Sequence, residues 1–248
     1  MNDIIERIAL VECNPANHGG RRDKSAIKYL VYHYTGNDGD HDTNNAIYYR
    51  NNVVKASAHY FVDDDSITQS VGDLTVAWAV GGSKWSDCDK TGGGSMHGIV
   101  TNTNSLSIEM CDTVKDGTYN VTEKTLENAA ALGRMLMERY GIPVENVVRH
   151  FDVTGKHCPQ YFMDNDKWAD FKSRLTAKGD DVKRYNRLDE IEKEAPWAAP
   201  TVQKLIALGC IQGSGAKPDA NGNPTDMNLS EDILRVLVIN DRAGVYGE

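Results

Sequence analysis

The residues best suited to chemistry in this 248-residue chain lie in His150-Phe-Asp-Val-Thr-Gly-Lys-His-Cys158-Pro159. One short stretch, broken by Gly155 and Pro159, sets imidazoles, an ammonium (Lys156) and a thiol side by side and reads as a loop. Histidine and cysteine together suit Zn²⁺, which accepts both nitrogen and sulfur ligands. A lysine beside them is placed to meet negative charge developing on a metal-bound substrate. The segment points to metal-assisted hydrolysis.

Further elements must bring partners to that loop. Residues 25–35, rich in β-branched and aromatic types, predict a buried strand that carries His33 near its end. A helix is expected over 43–52, then a hairpin of 57–62 and 67–71 around an Asp-Asp-Asp-Ser turn. The triple aspartate lacks EF-hand spacing and reads as a solvated turn rather than a Ca²⁺ site. Ser105–Met110 alternates as a strand carrying Glu109. Leu126, Ala129, Ala130, Met137 and Tyr140 give a helix over 122–140, stopped by Gly141 and Pro143. A short strand over 144–149 delivers His150, and a last helix spans about 166–178. Strands mixed with helices imply an α/β or α+β domain.

Composition narrows the partners. A formal net charge of −9 argues against nucleic acid, which requires clustered Lys and Arg. No apolar run approaches a membrane span, so membrane insertion is not expected. The first residues are too charged for a secretory signal, which predicts a cytoplasmic site of synthesis. Five irregularly spaced cysteines fit a reducing compartment rather than a disulfide framework.

Four segments in order carry a resemblance: Tyr32-His-Tyr-Thr35, Ser57-Ala-His-Tyr60, Ser107-Ile-Glu109 and His150 through Pro159. Together they resemble the type 2 N-acetylmuramoyl-L-alanine amidases, the zinc family shared by phage endolysins and peptidoglycan recognition proteins, over roughly residues 20–178. The resemblance implies an α/β fold with a central mixed sheet flanked by helices, and Zn²⁺ ligands at His33, His150 and Cys158, with the fourth position left to water. It implies an acidic catalytic residue at Glu109, a basic one at Lys156 and a substrate contact from the cleft position of His59, while Trp78 reads as a core or cleft-wall aromatic and is the second expected substrate contact. The expected activity is zinc-activated hydrolysis of the amide between muramic acid and L-alanine of the stem peptide, acting on the wall after release by a pore or lysis. Two alternatives are a recognition protein that binds without cutting, disfavoured by the presence of Cys158, and a zinc peptidase cutting within the stem peptide.

Two features depart from the family pattern. Ala79 stands where many relatives carry a substrate-contacting histidine, and the Gly-rich loop 81–104 is longer than a minimal member needs. The expected organisation is a catalytic domain over 1–179, a polar linker at 180–185 and a small helical module over 186–248. In the module a helix over 200–208 and a second one capped by Ser230 surround a Gly/Pro loop. So thin a core predicts wall binding or a homodimer through Leu234, Leu237 and Val238.

Overall fold

A computed structural model describes Ile5 and residues 8–115, 117–176, 184–214 and 217–247. The chain divides into two compact units, Met1–Ala177 and Lys178–Glu248. The expected stop at Gly179 and residues 180–183 of the expected linker lie outside the described residues.

In the first unit the strands are β1 (Ala9–Leu10), β2 (His18–Arg21), β3 (Tyr29–Asp38), β4 (Tyr60–Val62), β5 (Ile67–Gln69), β6 (Thr75–Ala77), β7 (Ser105–Lys115), β8 (Thr118–Asn120) and β9 (Val147–Arg149). Its helices are α1 (Asp42–Asn51), α2 (Cys88–Thr91), α3 (Glu123–Tyr140), α4 (His150–Thr154) and α5 (Asn165–Thr176). The main sheet runs β1-β5-β4-β7-β3-β9, with β8 added to β7. β3 is parallel to both β7 and β9, whereas β4 and β5 form the antiparallel hairpin. This is the mixed, helix-flanked sheet that the sequence implies.

Two-residue alternation divides the labour of the sheet. Leu30, Tyr32, Tyr60, Val62, Leu106, Ile108 and Met110 join α3 and α5 in the principal core. Burying each large aliphatic side chain contributes roughly 1.5–3 kcal/mol. α3 is well bounded for its part: the Thr122 hydroxyl accepts from the Thr125 N–H, and Gly141 closes the helix in the left-handed region at φ 65°. The alternate residues, among them Val31, His33, Ser107 and Glu109, are left for the opposite face, where Ala46 of α1 packs with Phe61.

Two local expectations change. Residues 150–154 form a single helical turn rather than a loop, because the Asp152 carboxylate accepts from the Arg149 N–H at 2.8 Å and starts the turn. The strand before it is only Val147–Arg149, since Val144–Asn146 wind into a 3₁₀ turn after Pro143.

In the second unit β10 (Arg184–Tyr185) pairs antiparallel with β11 (Leu229–Ser230), so those two residues belong to the module rather than to a linker. α6 (Leu188–Glu194), α7 (Ala199–Ala207) and α8 (Glu231–Arg242) pack around Ile191, Ala198, Val202 and Leu234. Of the three residues expected at a homodimer face, Leu234 and Val238 are buried inside this core and Leu237 is half-buried. The exposed apolar residues of α8 are Ile233, Val236 and Ile239. Among the described residues no helix is long and apolar enough to cross a membrane.

Gly133 tests the principal core. A Cβ there would press on the Tyr32 hydroxyl, which donates to the Ala129 carbonyl at 2.9 Å, and on Leu175. Alanine gains about 1 kcal/mol of helix propensity, but overpacking costs about 1–3 kcal/mol and both neighbours are buried. Gly133→Ala should therefore be net destabilising in urea denaturation. A stabilised variant would mean that this packing is looser than described.

Candidate functional site

Strand register brings the first two groups together. Parallel pairing of β3 with β7 sets His33 directly opposite Glu109, and the pairing of Tyr32 with Arg149 brings the start of α4, His150, to the same end of the sheet. The chain then turns at Gly155, φ 84°, and the Phe151 N–H donates to the Cys158 carbonyl at 2.9 Å. That bond folds Cys158 back beside the two histidines.

The outcome is a cluster of three ligand atoms, one each from His33, His150 and Cys158, all within 4.8 Å of one another. Cys158 Sγ lies 3.8 Å from His33 Nδ1, and Glu109 Oε1 lies 3.9 Å from that same nitrogen. The His33 and His150 rings meet edge to face at 4.7 Å. Buried polar atoms nearly always have partners. Here His33 Nε2, His150 Nδ1 and Glu109 Oε2 are buried without one. Two imidazoles, a thiol and a neighbouring carboxylate fit a divalent metal ion, whose charge would offset the burial of so many polar groups.

Electrostatics agree with that fit. Burial, followed by the charge of Lys156, holds His150 down at about 4. Burial, then His150 and Lys156, hold His33 well below the ordinary histidine range. Both rings are thus neutral at pH 7, with lone pairs available to a metal. Burial pushes the Cys158 thiol upward, opposed by the Tyr34 backbone N–H, so its ionisation requires a cation. Burial also raises Glu109 to about 8, against the pull of Lys156. A carboxyl poised near neutrality suits proton transfer in either direction.

Glu109 and Lys156 line one cleft of about 540 Å³, with Tyr34, Asn37, Asn44 and Tyr48 on its other walls. Asn44 and Tyr48 project from α1, whose amide- and tyrosine-bearing sequence is the signal that reading by apolar periodicity missed. Such groups suit the hydrogen-bonding edges of a peptide or an acetylated sugar.

His59 does not join this cleft. It is 1% exposed, with Nδ1 3.0 Å from the Ser107 backbone N, and Nε2 3.1 Å from the Thr75 carbonyl and 2.9 Å from Arg22. A side chain so enclosed ties strands together, which corrects its expected substrate contact. Trp78 is half-buried, with its indole against Gly19, and does not line the cleft. Ala79 packs beside the valine cluster of Val31, Val80 and Val148, its N–H donating to Asn102 Oδ1 at 3.0 Å.

These shifts set the pH dependence of metal-free stability. His33, His59 and His150 titrate below the ordinary 6.5, so the unfolded chain takes up protons first as pH falls. Stability should decline from about pH 6.5 toward 4. Glu109 acts on the alkaline side: its folded carboxyl keeps a proton between 4.5 and about 8 while the unfolded one ionises, so its contribution weakens stability as pH rises through that window. Glu109→Gln should accordingly raise Tm more at pH 8 than at pH 5, measured by circular dichroism after chelation. Equal shifts at both pH values would contradict the raised Glu109 pKa.

Comparison with known proteins bears on the same site. The family described as N-acetylmuramoyl-L-alanine amidase matches residues 23–161. The N-acetylmuramoyl-L-alanine amidase BlyA of Bacillus subtilis (strain 168) is 35% identical over 195 residues, covering 76% of this chain and 49% of BlyA. A mutant endolysin from Bacillus subtilis superposes with TM-score 0.53 at 28% identity, covering 68% of this chain and 98% of that one. The PlyG catalytic domain superposes with TM-score 0.54 at 28% identity, covering 68% and 93%. The chain spans about half the length of the curated relatives it matches. The matched segment occupies more than half of the chain and contains His33, Glu109, His150, Lys156 and Cys158, and the chain belongs to the N-acetylmuramoyl-L-alanine amidase family.

Proposed function

We propose that this chain is a peptidoglycan hydrolase that cleaves the amide between the lactyl group of N-acetylmuramic acid and the L-alanine of the stem peptide. Its metal is zinc, held by His33, His150 and Cys158. The observation that carries the reading is the buried three-ligand cluster with Glu109 between it and an open cleft. Family membership supports the same bond as the target.

Zinc at this site would supply Lewis acidity, polarising the amide carbonyl and sharpening a water at neutral pH. The protein's own groups complete the reaction. Glu109 Oε2 has no protein partner, and, ionised once a bound cation lowers its pKa, Glu109 takes the proton released as water adds to the carbonyl carbon. The same carboxyl then delivers that proton to the leaving nitrogen as the C–N bond breaks. Lys156, exposed at the cleft wall, faces the negative charge that gathers on the carbonyl oxygen. Tyr34, Asn44 and Tyr48 bind and orient the substrate along the cleft.

The second unit, in this reading, retains the enzyme at the wall. Its exposed Trp197 and the stripe of Ile233, Val236 and Ile239 are apolar surfaces that its own core does not cover. A weak polymer site would raise the local enzyme concentration without entering the chemistry.

Glu109→Ala and Lys156→Ala should each lower kcat on purified wall by about 100-fold or more while leaving zinc content unchanged. Mass analysis of the digest should find free N-terminal L-alanine. New termini within the stem peptide would indicate a peptidase instead, and binding without new termini a recognition protein. Truncation after Gly179 should spare cleavage of soluble muropeptides and reduce whole-cell lysis. Unchanged lysis by the truncated chain would remove the wall-retention role.

A further inference from the structure

The short helix α4 poses a problem for the ligand cluster. It has five residues, and its carbonyls would be largely unpaired if it stood alone. One isolated turn is not stable in water. Yet His150 opens it and Cys158 follows just beyond its end, so two of the three ligands depend on its geometry.

The long Gly-rich segment 81–104 supplies what the turn lacks. The Trp85 N–H donates to the Thr154 carbonyl at 2.8 Å, the Gly94 N–H to Phe151 at 2.9 Å, and the Met96 N–H to Asp152 at 2.8 Å. The Cys88 thiol approaches the Thr154 carbonyl at 3.6 Å. Side chains reinforce these bonds. The Trp85 ring stacks on His157 at 6.0 Å with an interplanar angle of 25°, and His157 immediately precedes Cys158. Asp87 Oδ2 lies 3.8 Å from His157 Nε2. Gly93 sits where a Cβ would fall 2.7 Å from the Phe151 ring and 2.8 Å from the Gly155 Cα, so only glycine permits the close approach.

We infer that segment 81–104 is a strap that holds α4 and the 155–158 turn at the geometry metal binding requires, with Trp85 and Gly93 as its positioning residues. The inference rests on the ligand assignment proposed above and goes beyond it. Neither residue belongs to the three-ligand cluster or lines the cleft. They act through the backbone that carries His150 and Cys158. Groups that orient metal ligands from outside the coordination sphere typically affect affinity by about 10- to 100-fold. The same range is expected here.

The test is the zinc dissociation constant of the full-length chain, measured by competition with a chromophoric chelator, alongside Tm of the metal-free protein. Gly93→Ala and Trp85→Ala should weaken zinc binding by about 10-fold or more. Trp85→Phe keeps an aromatic face for His157 and should recover most of the affinity. Leu136→Ala, in the principal core on α3, should lower Tm yet leave zinc affinity near the parental value. Should Gly93→Ala fail to fold, the half-exposed Trp85 carries the test alone. Parental zinc affinity in Trp85→Ala would overturn the strap, as would an equal loss in Leu136→Ala, which would mark the effect as general destabilisation. A wild-type chain without tight zinc binding would overturn the ligand assignment, and the strap with it.

Discussion

The structure depends on one costly juxtaposition, a buried imidazole beside a half-buried carboxyl on adjacent strands of the sheet. His33 and Glu109 are register partners on adjacent parallel strands, and His33 Nε2 and Glu109 Oε2 lack the partners that burial ordinarily demands. Leaving a buried polar atom unpaired costs about 1–3 kcal/mol. With His150 Nδ1 in the same condition, the site carries a concentrated penalty that the rest of the fold must outweigh. The opposite face of those strands does so, with Tyr32, Ile108 and Met110 locked against α3 and α5. Period-two alternation thus makes one pair of strands both the anchor of the core and the floor of the site.

That arrangement also explains the electrostatics. The dry surroundings that strip protons from His33 and His150 also keep a proton on Glu109. Lys156 opposes the last effect and reinforces the first, so a single exposed cation biases all three groups from the cleft wall. A metal ion would add charge of the same sign at shorter range, lowering the Glu109 pKa further.

Much of this was legible in the sequence because its signals were local. The β3 strand, the hairpin and the capped helix α3 announce themselves through composition, turn residues and caps. The clustering of His33, His150 and Cys158 was legible because His150 and Cys158 share one segment and His33 lies near the end of a strong strand. What escaped was set by tertiary contact. His59 looked like a cleft residue, yet Arg22, Thr75 and Ser107 enclose it from segments distant in sequence. The 150–154 turn read as loop because a single helical turn has no periodicity, and N–H donors from segment 81–104 sustain it. On α1, Asn44 and Tyr48 escaped for a related reason: cleft-facing polar residues look like solvent-facing ones until the opposite wall is known.

The central claim is that two imidazoles and one thiolate from these three positions hold a single zinc ion. X-ray absorption at the zinc edge of the loaded protein reads that coordination sphere directly. The account predicts one sulfur scatterer at about 2.3 Å with nitrogen or oxygen scatterers at about 2.0–2.1 Å. The sulfur shell should vanish in Cys158→Ser. A wild-type spectrum without a sulfur shell, or a sulfur shell that persists in Cys158→Ser, would contradict it.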